Sequence, residues 1–181
     1  MTVLARFFVL VLLLAAPVSA AQARDVTAEE KQKLEATIAS FDKAMRNEDY
    51  ESITDTIPPR VLEFIAKQAN VDVDTLRGVV IQQTKAALGS VKLEDFGMDT
   101  AATKFETLSN GEPFALIPTK TVMNSEETGK IVAKADTLAV LDGGNWYMVR
   151  VSEVQQLAIL RKAYPEFASV EFSNSTMEAV E

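Results

Sequence analysis

The chain of 181 residues contains no cysteine and no histidine. Without cysteine there is no disulfide staple, so an apolar core must hold the fold, which a chain of this length can supply. Without histidine, the Ser-His-Asp and Cys-His devices, histidine-ligated zinc and imidazole general-base catalysis are all excluded. Any remaining chemistry has to run on carboxylates, Tyr, Lys or Arg. Basic residues are short as well: 18 Lys and Arg stand against 26 Asp and Glu, a formal net charge of −8. That balance argues against nucleic acid and against an anionic membrane surface as partners, and it serves solubility. No cofactor or metal is expected; the acids Glu126 and Glu127 fall in a polar turn and read as solvated.

Long apolar runs are absent with one exception. Phe7 to Ala16 is an unbroken apolar stretch behind a single charge, Arg6, and Pro17 ends it. Small residues follow at the spacing that signal peptidase reads, Val18-Ser19-Ala20 and Ala21-Gln22-Ala23. The run is too short to span a bilayer comfortably, and no cysteine follows it to carry a lipid. The expectation is a cleaved secretory signal over residues 1–23, with cleavage after Ala23 and Ala20 as the rival site. The mature chain would then be periplasmic or secreted, with 17 basic against 26 acidic residues and a net charge of −9. No stable membrane insertion is expected after cleavage.

What is present is patterned. Lys130 to Val151 carries two long apolar-rich segments around Asp142-Gly143-Gly144-Asn145, a strong hairpin signal. Thr27-Ala28-Glu29-Glu30 is a capping box. Behind it, Leu34, Ile38, Phe41 and Met45 form one apolar stripe of a first helix that fades near Asn47. Asp49 caps a short second helix with Tyr50, Ile53 and Ile57 inward. Pro58 stops it, and Pro59 opens a third, with Val61, Leu62 and Ile65 on its apolar side. Asp74 is expected to cap a fourth helix with Leu76, Val79, Val80, Gln83 and Ala87 at core spacing, closed by Gly89. From Val91 the period drops to two. Strands are expected around 91–96, 104–108, 114–123, 131–141 and 146–151, with Pro118 marking an edge or a bulge. A last helix covers 153–163, and residues 173–181 read as a loose tail. Helices, then a meandering antiparallel sheet, then one helix mean a single α+β domain over residues 24–172. Its curved sheet has about five strands, and helices pack on one face.

Phe41-Asp42-Lys43-Ala44-Met45-Arg46-Asn47-Glu48-Asp49-Tyr50-Glu51-Ser52-Ile53 resembles the helix-break-helix opening of the ketosteroid-isomerase-like superfamily, also called nuclear-transport-factor-two-like. Asp142-Gly143-Gly144-Asn145-Trp146-Tyr147-Met148-Val149 is similar to its glycine turn and following strand. The resemblance covers roughly residues 27–151, and its motifs are short and degenerate. It implies a cone, a cystatin-like α+β roll with the first helix lying in the concave face of the sheet and a pocket between them. It implies no activity, because that fold carries enzymes, binding modules and assembly adaptors alike. The isomerase members use a Tyr of the first helix, where this chain has Phe41 and Met45. They place a basic Asp at a junction that here reads Leu88-Gly89-Ser90-Val91-Lys92. The dehydratase members need histidine.

The candidate pocket residues are Phe41, Met45, Tyr50, Ala135, Asp136, Trp146, Met148 and Arg150. Asp136 shares a strand face with Val132, Lys134, Leu138 and Val140. If that face lined the cone, it would be a desolvated base; otherwise it sits in solvent near Lys120. The opposite face, with Ala133, Ala135, Thr137 and Ala139, is built of small side chains. They leave room for an approaching helix or for an apolar ligand. Trp146 reads as core, interface anchor or stacking platform. Arg150 reads as an ion-pair partner of Glu153 or Glu48, or as a grip on a carboxylate. Tyr50 reads as packing, or as a donor to a bound oxygen. Three functions follow: a non-enzymatic exported module binding a small apolar ligand or a partner protein; a carboxylate-base isomerase or cyclase using Asp136 or Asp95; and a structural subunit dimerising through the sheet face at Trp146 and Tyr147.

Overall fold

The computed structural model describes residues 24–126 and 129–180. The expected signal peptide and Glu127 lie outside the described residues. Four helices open the fold: α1 (Ala28–Arg46), α2 (Tyr50–Asp55), α3 (Pro59–Ala69) and α4 (Val73–Gly89). The capping box forms as expected. The Thr27 hydroxyl accepts from the Glu30 amide at 3.1 Å, and Glu30 Oε2 accepts from the Thr27 amide at 2.9 Å, which satisfies two of the helix's free donors. Asp49 caps α2, Pro59 takes the first position of α3, and Asn70 closes α3 in the left-handed conformation. The cap of α4 is Asp72, whose carboxylate accepts from the Thr75 amide at 2.7 Å; Asp74 sits instead in the first turn. Only Leu76 of α4 is buried, and Val79 is 46% exposed. Regular apolar spacing showed that the helix exists; it could not show how little of it is covered.

The sheet is antiparallel, curled and six-stranded. Two long central strands, β3 (Pro113–Ser125) and β4 (Gly129–Asp142), pair from Phe114 and Val140 to Ser125 and Gly129. Each carries two short strands on its outer side. β1 (Lys92–Met98) pairs with the second half of β3, and β2 (Lys104–Thr107) with the first. β5 (Asn145–Arg150) pairs with the second half of β4, and β6 (Thr176–Val180) with the first. The β4–β5 turn places Gly143 at φ 57° and Gly144 at φ 79°. A two-residue turn of the I′ kind needs positive φ at both central positions, which glycine adopts without penalty.

Pro118 marks neither an edge nor a bulge, because β3 is central. It lies where β2 has ended and β1 has not begun. Its carbonyl accepts from the Asp99 amide at 2.8 Å on that side, so its missing N–H would have faced a gap in the pairing. The expected loose tail is also corrected: residues 176–180 form β6. All five are exposed, so the strand is held by backbone pairing, which side-chain polarity does not report.

Both faces of the sheet are covered. On one, Leu34 and Ile38 of α1 pack over Ala115, Ile117, Ala139, Trp146 and Met148. On the other, Phe114, Leu116, Leu138 and Val140 meet Leu160, Tyr164 and Phe167, from α5 (Val154–Ala163) and the 3-10 turn after it. Val61 of α3 joins this second cluster. The Tyr164 hydroxyl donates to Asp142 at 2.7 Å, and the Arg60 guanidinium lies 4.0 Å from the Tyr164 ring centroid. Burial, and then the Asp142 carboxylate, push the Tyr164 phenol well above its usual range. On the outer edge of β5 the Met148 amide donates to the carbonyl of Thr56, the residue that ends α2, at 2.7 Å, which occupies one donor of that edge strand.

Candidate functional site

Side chains alternate along β4, so the small residues Ala133, Ala135, Thr137 and Ala139 share the face that α1 crosses. Over Ala139 the space is filled by Leu34, Ile38 and Trp146. Toward the other end of the strand the filling stops. Ala133 and Ala135 are short, and Phe41 and Met45 stand across from them. A cavity of about 440 Å³ remains, within the range of small-molecule sites, about 300–1,000 Å³. Its floor is Thr119, Thr121 and Met123 of β3, Ala133, Ala135 and Thr137 of β4, and Met148 and Arg150 of β5. Phe41 and Met45 of α1, Leu93 and Phe96 of β1, and Ala87 and Leu88 at the end of α4 close it from above, and Met177 of β6 forms part of the rim. Phe41 and Phe96 meet edge to face at 5.8 Å, a favoured aromatic geometry that fixes this wall.

One polar row crosses the apolar floor. Thr119 Oγ1 and Thr137 Oγ1 are 2.7 Å apart, and Thr119 donates to the Ile117 carbonyl at 3.0 Å. With the Thr119 proton used there, Thr137 is the donor within the pair, and the row offers the cavity acceptor lone pairs. Thr137 pairs directly with Arg150 in the next strand, so Arg150 continues the row to the cavity mouth. Tyr50 and Glu48 stand at the same mouth, with the Tyr50 hydroxyl 3.4 Å from Glu48 Oε2. Partial burial, and then the Glu48 charge, raise the Tyr50 phenol.

Six of the eight residues singled out from the sequence line this cavity: Phe41, Met45, Tyr50, Ala135, Met148 and Arg150. Two do not. Asp136 is half-buried and alternates onto the Leu138 and Val140 face. Trp146 is 4% exposed beneath α1 and donates from its indole N–H to the Glu30 carbonyl at 2.8 Å; it is core. Asp95 is exposed, 3.6 Å from Lys120. Glu48 is thus the sole carboxylate among the described lining residues, and neither Asp95 nor Asp136 faces the cavity with Tyr50. Among the described residues no cluster of acids is placed to hold a metal ion. The lining residues missed by sequence reasoning come mainly from β1, β3, the end of α4 and β6. The Thr119–Thr137 pair had a signal in the period-two pattern, whereas Met177 had none. No family model, curated protein or solved structure matches the chain.

Proposed function

We propose that this chain is a non-enzymatic exported module of the ketosteroid-isomerase-like cone fold that binds one small, largely apolar ligand between α1 and the sheet. The observation that carries the reading is the 440 Å³ cavity, lined mainly by apolar side chains and lacking a buried acid or base. A general base must reach the proton it abstracts, and the lining offers only Glu48, at the exposed mouth. The curled α+β architecture with its long first helix supports membership of the cone fold. The covering of both sheet faces, by α1 on one and by α5 on the other, weighs against assembly through an open sheet face.

Titration with a solvatochromic apolar dye such as Nile red tests the reading. Saturable emission at one dye per chain, lost in Ala135→Leu, is the expected result. Ala135 points into the cavity, so a leucine there fills space without displacing packed atoms. Dye uptake that is non-saturable, or unchanged in the variant, contradicts the proposal.

A further inference from the structure

Resting on that ligand-binding reading, we infer that the ligand is an amphipathic monocarboxylate, with its acid group held by Arg150. Six arginines lie among the described residues, and five of them hold an acceptor. Arg24 pairs with Glu30 and Glu112, Arg46 with Asp42, Arg60 with Glu166, Arg77 with Asp55, and Arg161 with the Val170 carbonyl. Arg150 alone of the six makes no ion pair and no hydrogen bond through its guanidinium with any described residue. It is also the only basic side chain among the described residues lining the cavity. A guanidinium presents a planar fork of donors that matches a carboxylate in two-point contact.

The place of Arg150 gives the ligand a direction. On one side is the apolar cavity. On the other is a smaller polar cleft, lined by Ser152, Gln156 and Ser175, which shares Arg150 and Met177 with it. A molecule with an apolar body and one polar end would bury the body over Ala133 and Ala135 and bring the end to Arg150. Glu48 on the cavity mouth and Glu153 in the cleft face the same region, and neither lies within ion-pair distance of Arg150. Their charges oppose a second negative charge on the ligand, which favours a carboxylate over a phosphate monoester. The threonine row adds acceptors and no free donor, so the acid has Arg150 as its donor, and a hydroxyl farther along the ligand would be accommodated at Thr137.

The experiment is calorimetric titration with straight-chain and polycyclic monocarboxylates, each paired with its neutral alcohol, against the wild type, Arg150→Gln and Arg150→Lys. A hydrogen-bonded charge predicts acids binding about tenfold to a hundredfold more tightly than their alcohols. Arg150→Gln should abolish that preference, bringing acid affinity down to that of the paired alcohol; Arg150→Lys should keep part of it. The side chain is exposed and holds nothing, so thermal unfolding of both variants should match the wild type. Acids and alcohols binding equally, or an acid preference that survives Arg150→Gln, overturns the carboxylate inference and leaves the cavity reading standing. Binding of neither series overturns both.

Discussion

Replacing Trp146 with phenylalanine separates a core residue from a ligand platform. The indole N–H donates to the Glu30 carbonyl at 2.8 Å, and the ring packs with Leu34 and Ile38 between α1 and the sheet. Losing the hydrogen bond costs about 1 kcal/mol. The Glu30 carbonyl keeps its helical partner, so no orphaned group adds to that. The smaller ring leaves a void in a site only 4% exposed. Whole-ring deletions to alanine cost about 3–5 kcal/mol, and the partial deletion here should cost about 1–2 kcal/mol. The sum, about 2–3 kcal/mol, lowers Tm by about 5–10 °C for a domain of this size. Because Trp146 is the sole tryptophan, unfolding should be followed by circular dichroism, with dye binding measured on the same sample below the transition. Stability should fall while dye affinity stays within about twofold of the wild type. A Tm within about 2 °C of the wild type, together with lost binding, would mean that the ring serves the ligand and that α1 is not held on the sheet as described.

Tyr164→Phe removes a hydroxyl bonded to the Asp142 carboxylate and should cost about 1.5 kcal/mol in urea unfolding. Asp142→Ala should cost about the same, and the double variant no more than the larger single one plus a few tenths, because the two act as one contact. Glu30 is held down to about 2 by hydrogen bonds from Arg24, against an ordinary value of 4.5. Its folded pKa is depressed, so its stabilisation is fully present above pH 4.5 and is lost as pH falls toward 2. The pair is partly exposed and discounted accordingly, to about 1 kcal/mol; Glu30→Gln should flatten the thermal stability profile over that window, and an unchanged slope would show that the pair contributes nothing.

Local chemistry was legible in the sequence wherever one residue type has one backbone use. The capping box at Thr27 and Glu30, Asp49 at the start of α2, Pro59 opening α3, and Gly143-Gly144 between β4 and β5 all act within four residues of themselves. Helical spacing likewise put Phe41 and Met45 on the inner face, and period-two alternation joined Ala135 to Thr137. Pairings made only through the backbone were not legible. β6 (Thr176–Val180) is short and wholly exposed, and its five residues read as tail because a strand added at an edge through its backbone buries no side chain. Asp136 turned on which face of β4 meets α1, and alternation defines two faces without saying which is inward. Arg150 could be read only as an ion pair or as a carboxylate grip. That its neighbours Glu48 and Glu153 both fall short of it is a fact of three-dimensional placement.

Native mass spectrometry of the protein from its own cells, purified without detergent, tests the binding cavity most directly. A single extra mass, of a small organic acid, that leaves on denaturation and is missing from Ala135→Leu is the predicted result. A bare polypeptide mass in both proteins, under conditions that retain weak complexes, would contradict it and leave a filled scaffold in place of a ligand carrier.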